Sequence, residues 1–142
     1  MAFALGAYEP NHNHLELLDF KSWSWESRPD YPFYSGLSHH ANIAYNGNFI
    51  VFGGYSYDTD SNRSSVIAKF DVSHNQWTKL GDLISARYAT NVVMSNGYFL
   101  VFGEYQTEKC SLANTTISCT QQSPTVPNHL QLFHVPESFC TI

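Results

Sequence analysis

Charge is scarce in this chain, and positive charge is scarcer still. Charged residues make up 13% of its 142 residues, with seven Lys and Arg against twelve Asp and Glu and a net charge of −5. The basic residues never cluster, so no stripe exists to neutralise a phosphate backbone, which argues against a nucleic-acid partner. No apolar run approaches the ~20 residues of a membrane span. Met1–Tyr8 is mildly apolar, but it lacks a basic flank and is too short for a secretory signal. Helical periodicity is also missing: no ten-residue window repeats its apolar residues every 3.6 positions. No Gly-x-Ser-x-Gly elbow presents a nucleophilic serine. Gly53-Gly54 has neither the lysine nor the following helix of a phosphate cradle. These absences leave no enzyme motif and no cofactor to expect.

Aromatic residues are abundant, at 15%. With so little charge, that composition fits a β-rich globular chain. Asn46–Tyr55 reads Asn-Gly-Asn-Phe-Ile-Val-Phe-Gly-Gly-Tyr, and it returns 50 residues later as Asn96–Tyr105, Asn-Gly-Tyr-Phe-Leu-Val-Phe-Gly-Glu-Tyr. Asn-Gly tolerates the positive φ that both central positions of a tight hairpin turn require. Phe49–Phe52 and Phe99–Phe102 are apolar on both faces, which suits a strand covered on both sides. Further strands are expected at Leu15–Phe20, Ser38–Tyr45, Ser65–Val72, Trp77–Leu80, Arg87–Ser95 and His129–Val135, with connections at Arg28–Phe33, Tyr55–Ser65, Gly81–Ser85 and Glu104–Asn128. Trp23 and Trp25 follow at strand spacing and would face one way.

A second spacing supports the repeat. Six residues separate Phe70 from Trp77, Leu18 from Trp25 and Phe133 from Cys140. The chain then divides into an irregular N-terminal segment, 1–14, and a repeat region, 15–142. Residues 15–34 end one unit, 35–86 form a complete unit, and 87–142 form a third with a 13-residue loop insertion before its third strand.

This pattern resembles the kelch repeat, whose period is about 50 residues. The resemblance rests on Gly53, Gly54, Phe70, Trp77 and Arg87, with Gly103 and Trp25 as the matching positions of the flanking units. Glu104 stands where the third unit's second glycine belongs, and Cys140 where its tryptophan belongs. The resemblance implies an all-β fold of four-stranded antiparallel blades in an incomplete propeller, with Ala41–Tyr45 and Ala89–Met94 innermost. Closed propellers have about four to eight blades, and two to two and a half are encoded here. A fragment of a longer chain is one explanation; self-association that completes a ring is the other.

The remaining candidates carry chemistry. Cys110 and Cys119 share one polar stretch; a disulfide closing this ten-residue ring would add about 2–3 kcal/mol by the loop-entropy model, with free thiols in a reducing compartment as the alternative. The stretch looks like that of secreted invertebrate kelch-like proteins. Cys140 is left odd. Asn62-Arg-Ser and Asn114-Thr-Thr are glycosylation triplets. His12 and His14 could share a strand face, but nothing nearby completes a metal set. His39-His40 opens the inner strand of the complete unit, where one ring could face the axis. Asp58, Asp60 and Asn62 alternate like calcium ligands, but Arg63 replaces the loop glycine and Lys69 the bidentate glutamate. Tyr55, Tyr57 and Tyr105 lie just past the glycine bends and suit partner contact or packing between blades. The three tryptophans are expected between neighbouring blades.

The reading is a non-enzymatic binding scaffold, extracellular, whose loops Tyr55–Ser65 and Glu104–Asn128 meet a protein or glycan ligand. A cytoplasmic kelch substrate-adaptor fragment is the alternative. A copper-oxidase-like kelch propeller is a second alternative, and it requires a Tyr/Cys/His constellation at the axis.

Overall fold

Both Asn-Gly pairs turn the chain as their sequence requires. In the computed structural model, which describes residues 1–6, 12–103 and 106–122, Asn46 and Gly47 hold φ of 48° and 73°, and Asn96 and Gly97 hold 49° and 78°. The described strands are Ala2–Leu5 (β1), Leu15–Asp19 (β2), Ser24–Arg28 (β3), Ala41–Tyr45 (β4), Asn48–Phe52 (β5), Ser64–Asp71 (β6), Gln76–Arg87 (β7), Asn91–Ser95 (β8), Tyr98–Gly103 (β9), Gln106–Ala113 (β10) and Thr116–Gln122 (β11). They form three antiparallel sheets, β1-β2-β3, β4-β5-β6-β7 and β8-β9-β10-β11. The fold is all-β, with sheets of three, four and four strands and no closed ring among the described residues. No helix of those residues is long and apolar enough to cross a membrane.

The doubly apolar strand β5 explains the stacking. Successive side chains point to opposite faces of a sheet. Phe49 and Val51 therefore join Leu15, Tyr31, Leu37, Phe70 and Trp77 in a core between the first and second sheets. Ile50 and Phe52 join Ile67, Leu80, Leu83, Phe99, Val101 and Ile117 between the second and third. Among the described residues the second sheet is thus covered on both sides and the outer two on one. The six-residue spacing also has a plain geometric meaning: Phe70 pairs with Trp77, and Leu18 with Trp25, across their hairpins. Asp71 ties the first of these turns by accepting hydrogen bonds from Ser73 N, Ser73 Oγ and His74 N.

Several expectations are corrected. Residues 1–14 are not wholly irregular, because Ala2–Leu5 pairs with Leu15–Leu18. Gly81–Ser85 is no connection. β7 runs through it to Arg87, and irregularities in its pairing with β6 absorb the mismatch. Ser38–Tyr45 becomes a strand only from Ala41, and the strand expected from Arg87 begins at Asn91. Trp23 occupies a turn with φ of 53°, so it does not share a strand face with Trp25. Of the three tryptophans only Trp77 packs between sheets; Trp23 and Trp25 are 75% and 53% exposed. The cause for Trp25 is strand parity. Leu15 and Leu17 take the inward face of β2, which turns Leu18 and its partner Trp25 outward.

The largest correction concerns Glu104–Asn128. Its described part is no loop but the hairpin β10–β11, which supplies the third and fourth strands of the third sheet. β10 follows β9 after residues 104–105, where the second sheet uses residues 53–63, so that connection is shortened and carries no insertion. The stretch reads as polar because its inward positions are Glu108 and Cys110. His129–Val135, Glu104, Tyr105 and Cys140 lie outside the described residues.

Candidate functional site

Antiparallel alternation sends three connections to the same end of the second sheet: the segment before β4, the β5–β6 connection and the β7–β8 connection. The glycines let the chain turn there. Gly53 and Gly54 hold φ of 61° and 120°, and a Cβ on either would meet Arg87 O or Leu37 Cδ1 at 2.8 Å. Gly54 N donates to Arg87 O at 2.8 Å, which ties the bend to the end of β7. Gly103 repeats the arrangement in the third sheet, at φ 149° against Ala89 O.

Tyr55 is held directly past this bend. It exchanges main-chain hydrogen bonds with Ser38 at 3.0 and 2.7 Å and bridges to Arg63. Its ring meets Tyr57 edge-on at 5.0 Å and Tyr88 at 5.7 Å. His39 packs edge-on against Tyr88 at 6.4 Å, and the Arg63 guanidinium lies 5.4 Å from the centre of the same ring. The loop beneath is braced: Ser56 N donates to Asn62 O, Asp58 N to Ser56 Oγ, and Thr59 Oγ1 to Arg63 O. The result is a fixed rim of four aromatic rings and one cation, with Tyr57 41% exposed at its edge. The sequence singled out Tyr55, Tyr57 and His39. Arg63 and Tyr88 were missed as rim residues because they come from other points in the chain; the aromatic at Tyr88, directly after the motif's Arg87, was the available signal.

The other candidates resolve one by one. Asp58 receives Ser35 Oγ at 2.6 Å and Ser35 N, which hold its carboxyl below the usual range and use the oxygens a calcium ion would need. His14 binds Asp30 at 2.8 Å, and neither His14 nor His12 belongs to a cluster of three metal-ligating side chains among the described residues. His40 has its Nδ1 buried without a hydrogen-bond partner among the described residues. Burial, with the charge of His39, pushes its pKa down to about 4. Cys110 and Cys119 are joined in a disulfide across β10 and β11. Asn62 lies in the rim loop and Asn114 at the β10–β11 turn, the opposite end of the sheets. Phe70 and Trp77 serve the core, and Trp77 Nε1 donates to Pro29 O at 2.8 Å.

Arg87 has a partner the sequence did not reveal. It is buried with Glu108, which also accepts Ile84 N at 2.9 Å and Ser85 N at 3.2 Å. Glu108, Cys110 and Cys119 bring potential metal-ligand atoms within 4.8 Å of one another. Joined to each other, the two sulfurs offer no thiolate, and both Glu108 oxygens already accept hydrogen bonds. The grouping works as a clamp between the second and third sheets.

The middle sheet matches the kelch motif. That match covers residues 36–84, which contain the double glycine, Phe70 and Trp77. The fold is similar to the solved structure of YjhT, with a TM-score of 0.60 at 16% identity, over 76% of this chain and 38% of that one. At that identity the likeness shows the fold alone. The chain thus spans well under half of that solved protein. No curated protein matches the chain in sequence.

Proposed function

We propose that this chain is a non-enzymatic interaction scaffold, part of a kelch-type propeller that works outside the cell. Its contact surface is the rim of His39, Tyr55, Tyr57, Arg63 and Tyr88, and its ligand is a protein or a glycan. The observation that carries the reading is the convergence of these residues from three connections onto one braced end of the second sheet. Tyrosine offers large contact area at small entropic cost, and a preorganised rim loses little freedom on binding. Tyr105, the third tyrosine of the sequence reading, lies outside the described residues. The Cys110–Cys119 disulfide favours an oxidising compartment over the cytoplasm of the adaptor alternative.

The test is a binding screen of the purified chain against glycan arrays and against secreted and cell-surface proteins of its own source. Tyr57→Ala and Tyr88→Ala are each expected to weaken any ligand found by roughly 30-fold, the effect of losing a 2 kcal/mol hot spot. Circular dichroism should remain unchanged. A ligand whose affinity survives both substitutions overturns the rim as the contact surface.

A further inference from the structure

We infer that Asn114 is the N-glycosylated residue of this chain and that Asn62, the other triplet, stays unmodified. The inference rests on the extracellular reading above and goes beyond it, because it gives the two ends of the sheets different roles. Transfer needs a hydroxyl two residues after the asparagine, and the folded chain keeps the glycan only where the asparagine side chain and its triplet can stand in solvent. At the β10–β11 turn Asn114, Thr115 and Thr116 are all exposed, and Asn114 stands at the hairpin tip with φ of 57°. Asn114 and Thr115 border a cleft shared with Tyr45 and Asn48 of the second sheet, and all three residues of the triplet remain open to solvent.

Asn62 is placed differently. It is half-buried, its N–H donates to Thr59 O at 2.9 Å, and its carbonyl accepts Ser56 N at 3.3 Å. The hydroxyl of its triplet belongs to Ser64, which is fully buried and accepts Val66 N at 3.1 Å. The residue between them, Arg63, lies over Tyr88. A glycan on Asn62 would also cover the aromatic rim, whereas one on Asn114 stands at the far end of the sheets and leaves the rim open.

The reaction takes a lipid-pyrophosphate-linked oligosaccharide as donor. Asn114 Nδ2 attacks the anomeric carbon and gives up one proton. The new C–N bond replaces the C–O bond to pyrophosphate, and the lipid pyrophosphate leaves with the electron pair. No oxidant or reductant is needed.

The test expresses the full chain behind a heterologous secretory signal in a eukaryotic cell, followed by intact mass and peptide mapping. One glycan is expected, released by a peptide-N-glycosidase that leaves aspartate at position 114. Asn114→Gln should abolish it, and Thr116→Ala should abolish it without altering the turn asparagine. Asn62→Gln should leave the mass of the attached glycan unchanged. Occupancy of Asn62, or a secreted chain carrying no glycan, overturns the assignment. The compartment reading fails separately: endogenous protein that stays in the cytosol while the secreted form carries its glycan at Asn114 refutes the first and leaves the second standing.

Discussion

Replacing Glu108 with alanine should be the most damaging single polar substitution between the second and third sheets. Glu108 is fully buried on β10, and the Arg87 side chain that reaches it from β7 is 2% exposed. Arg87 also donates to the uncharged acceptors Gln106 O, Gln106 Oε1 and Ser85 O, each at 3.2 Å. Removing one member of a buried ion pair typically costs about 3–5 kcal/mol, because the remaining charge loses its close counter-ion while it stays out of water. The amides of Ile84 and Ser85 lose their acceptor in the same step, which adds to the cost. Against a typical domain stability of about 5–15 kcal/mol, this puts the variant near the threshold of folding. Urea denaturation followed by the fluorescence of buried Trp77 reads it out, with a midpoint shift of about 2 M for a domain of this size. The double variant Arg87→Met, Glu108→Leu removes both charges and should recover at least 2 kcal/mol relative to the sum of the single losses. Additive single effects, or a loss below about 1 kcal/mol for Glu108→Ala, would refute the clamp as drawn.

Three further outcomes follow from single contacts. Gly81→Ala should cost about 1–3 kcal/mol, because its new Cβ would lie 2.2 Å from Ile117 O, a main-chain atom of β11; faster amide exchange confined to β11 is the expected signature, and unchanged exchange there counts against it. Tyr31→Phe should stabilise the chain by about 1 kcal/mol, since the Tyr31 ring is buried against Trp77 while its hydroxyl has no partner among the described residues; burial foremost, with Tyr34 and Asp82, pushes that hydroxyl's pKa up, and a destabilised variant would show that the hydroxyl is bonded after all. His40 has a folded pKa of about 4, below its unfolded value near 6.5, so the unfolded chain takes up the proton first as pH falls. The stability that His40 contributes is whole above pH 6.5 and is lost towards pH 4, by up to about 3 kcal/mol; His40→Leu should flatten that part of the stability curve, and an unchanged slope would contradict the burial argument.

The sequence made the second sheet and the β8–β9 hairpin legible and left β10 and β11 obscure for one physical reason. In the second sheet the inward residues are the ones pattern reading recognises: Phe49, Ile50, Val51, Phe52, Ile67 and Phe70 are all apolar. In β10 the inward residues are Glu108 and Cys110. Each becomes compatible with a core only through a partner elsewhere, Arg87 for the carboxylate and Cys119 for the sulfur. A period-2 pattern written in such residues looks like a polar loop until the partners are known, and the third strand is therefore expected at His129–Val135, well beyond the start of β10 at Gln106. The rim was half legible for a similar reason. Tyr55 and Tyr57 follow the double glycine and could be found by position, but Tyr88 and Arg63 join them only through the antiparallel return of β6 and β7.

The same two partners explain why β10 and β11 can complete the third sheet without matching the sequence of β6 and β7. An apolar contact between sheets is non-directional and tolerates sliding. The Arg87–Glu108 pair and the main-chain hydrogen bonds from Ile84 and Ser85 are directional, so they fix β7 against β10 in one register. Gly81 brings the β11 backbone directly onto β7, and the disulfide holds β11 to β10 at the next point along. The β10–β11 hairpin is thereby pinned at Glu108, at Gly81 and at its own cross-link. With the hairpin held at these three points, the side chains of its turn, Asn114, Thr115 and Thr116, remain exposed. The rim at the opposite end depends on this arrangement, because Tyr88 follows Arg87 directly and takes its place from the clamp.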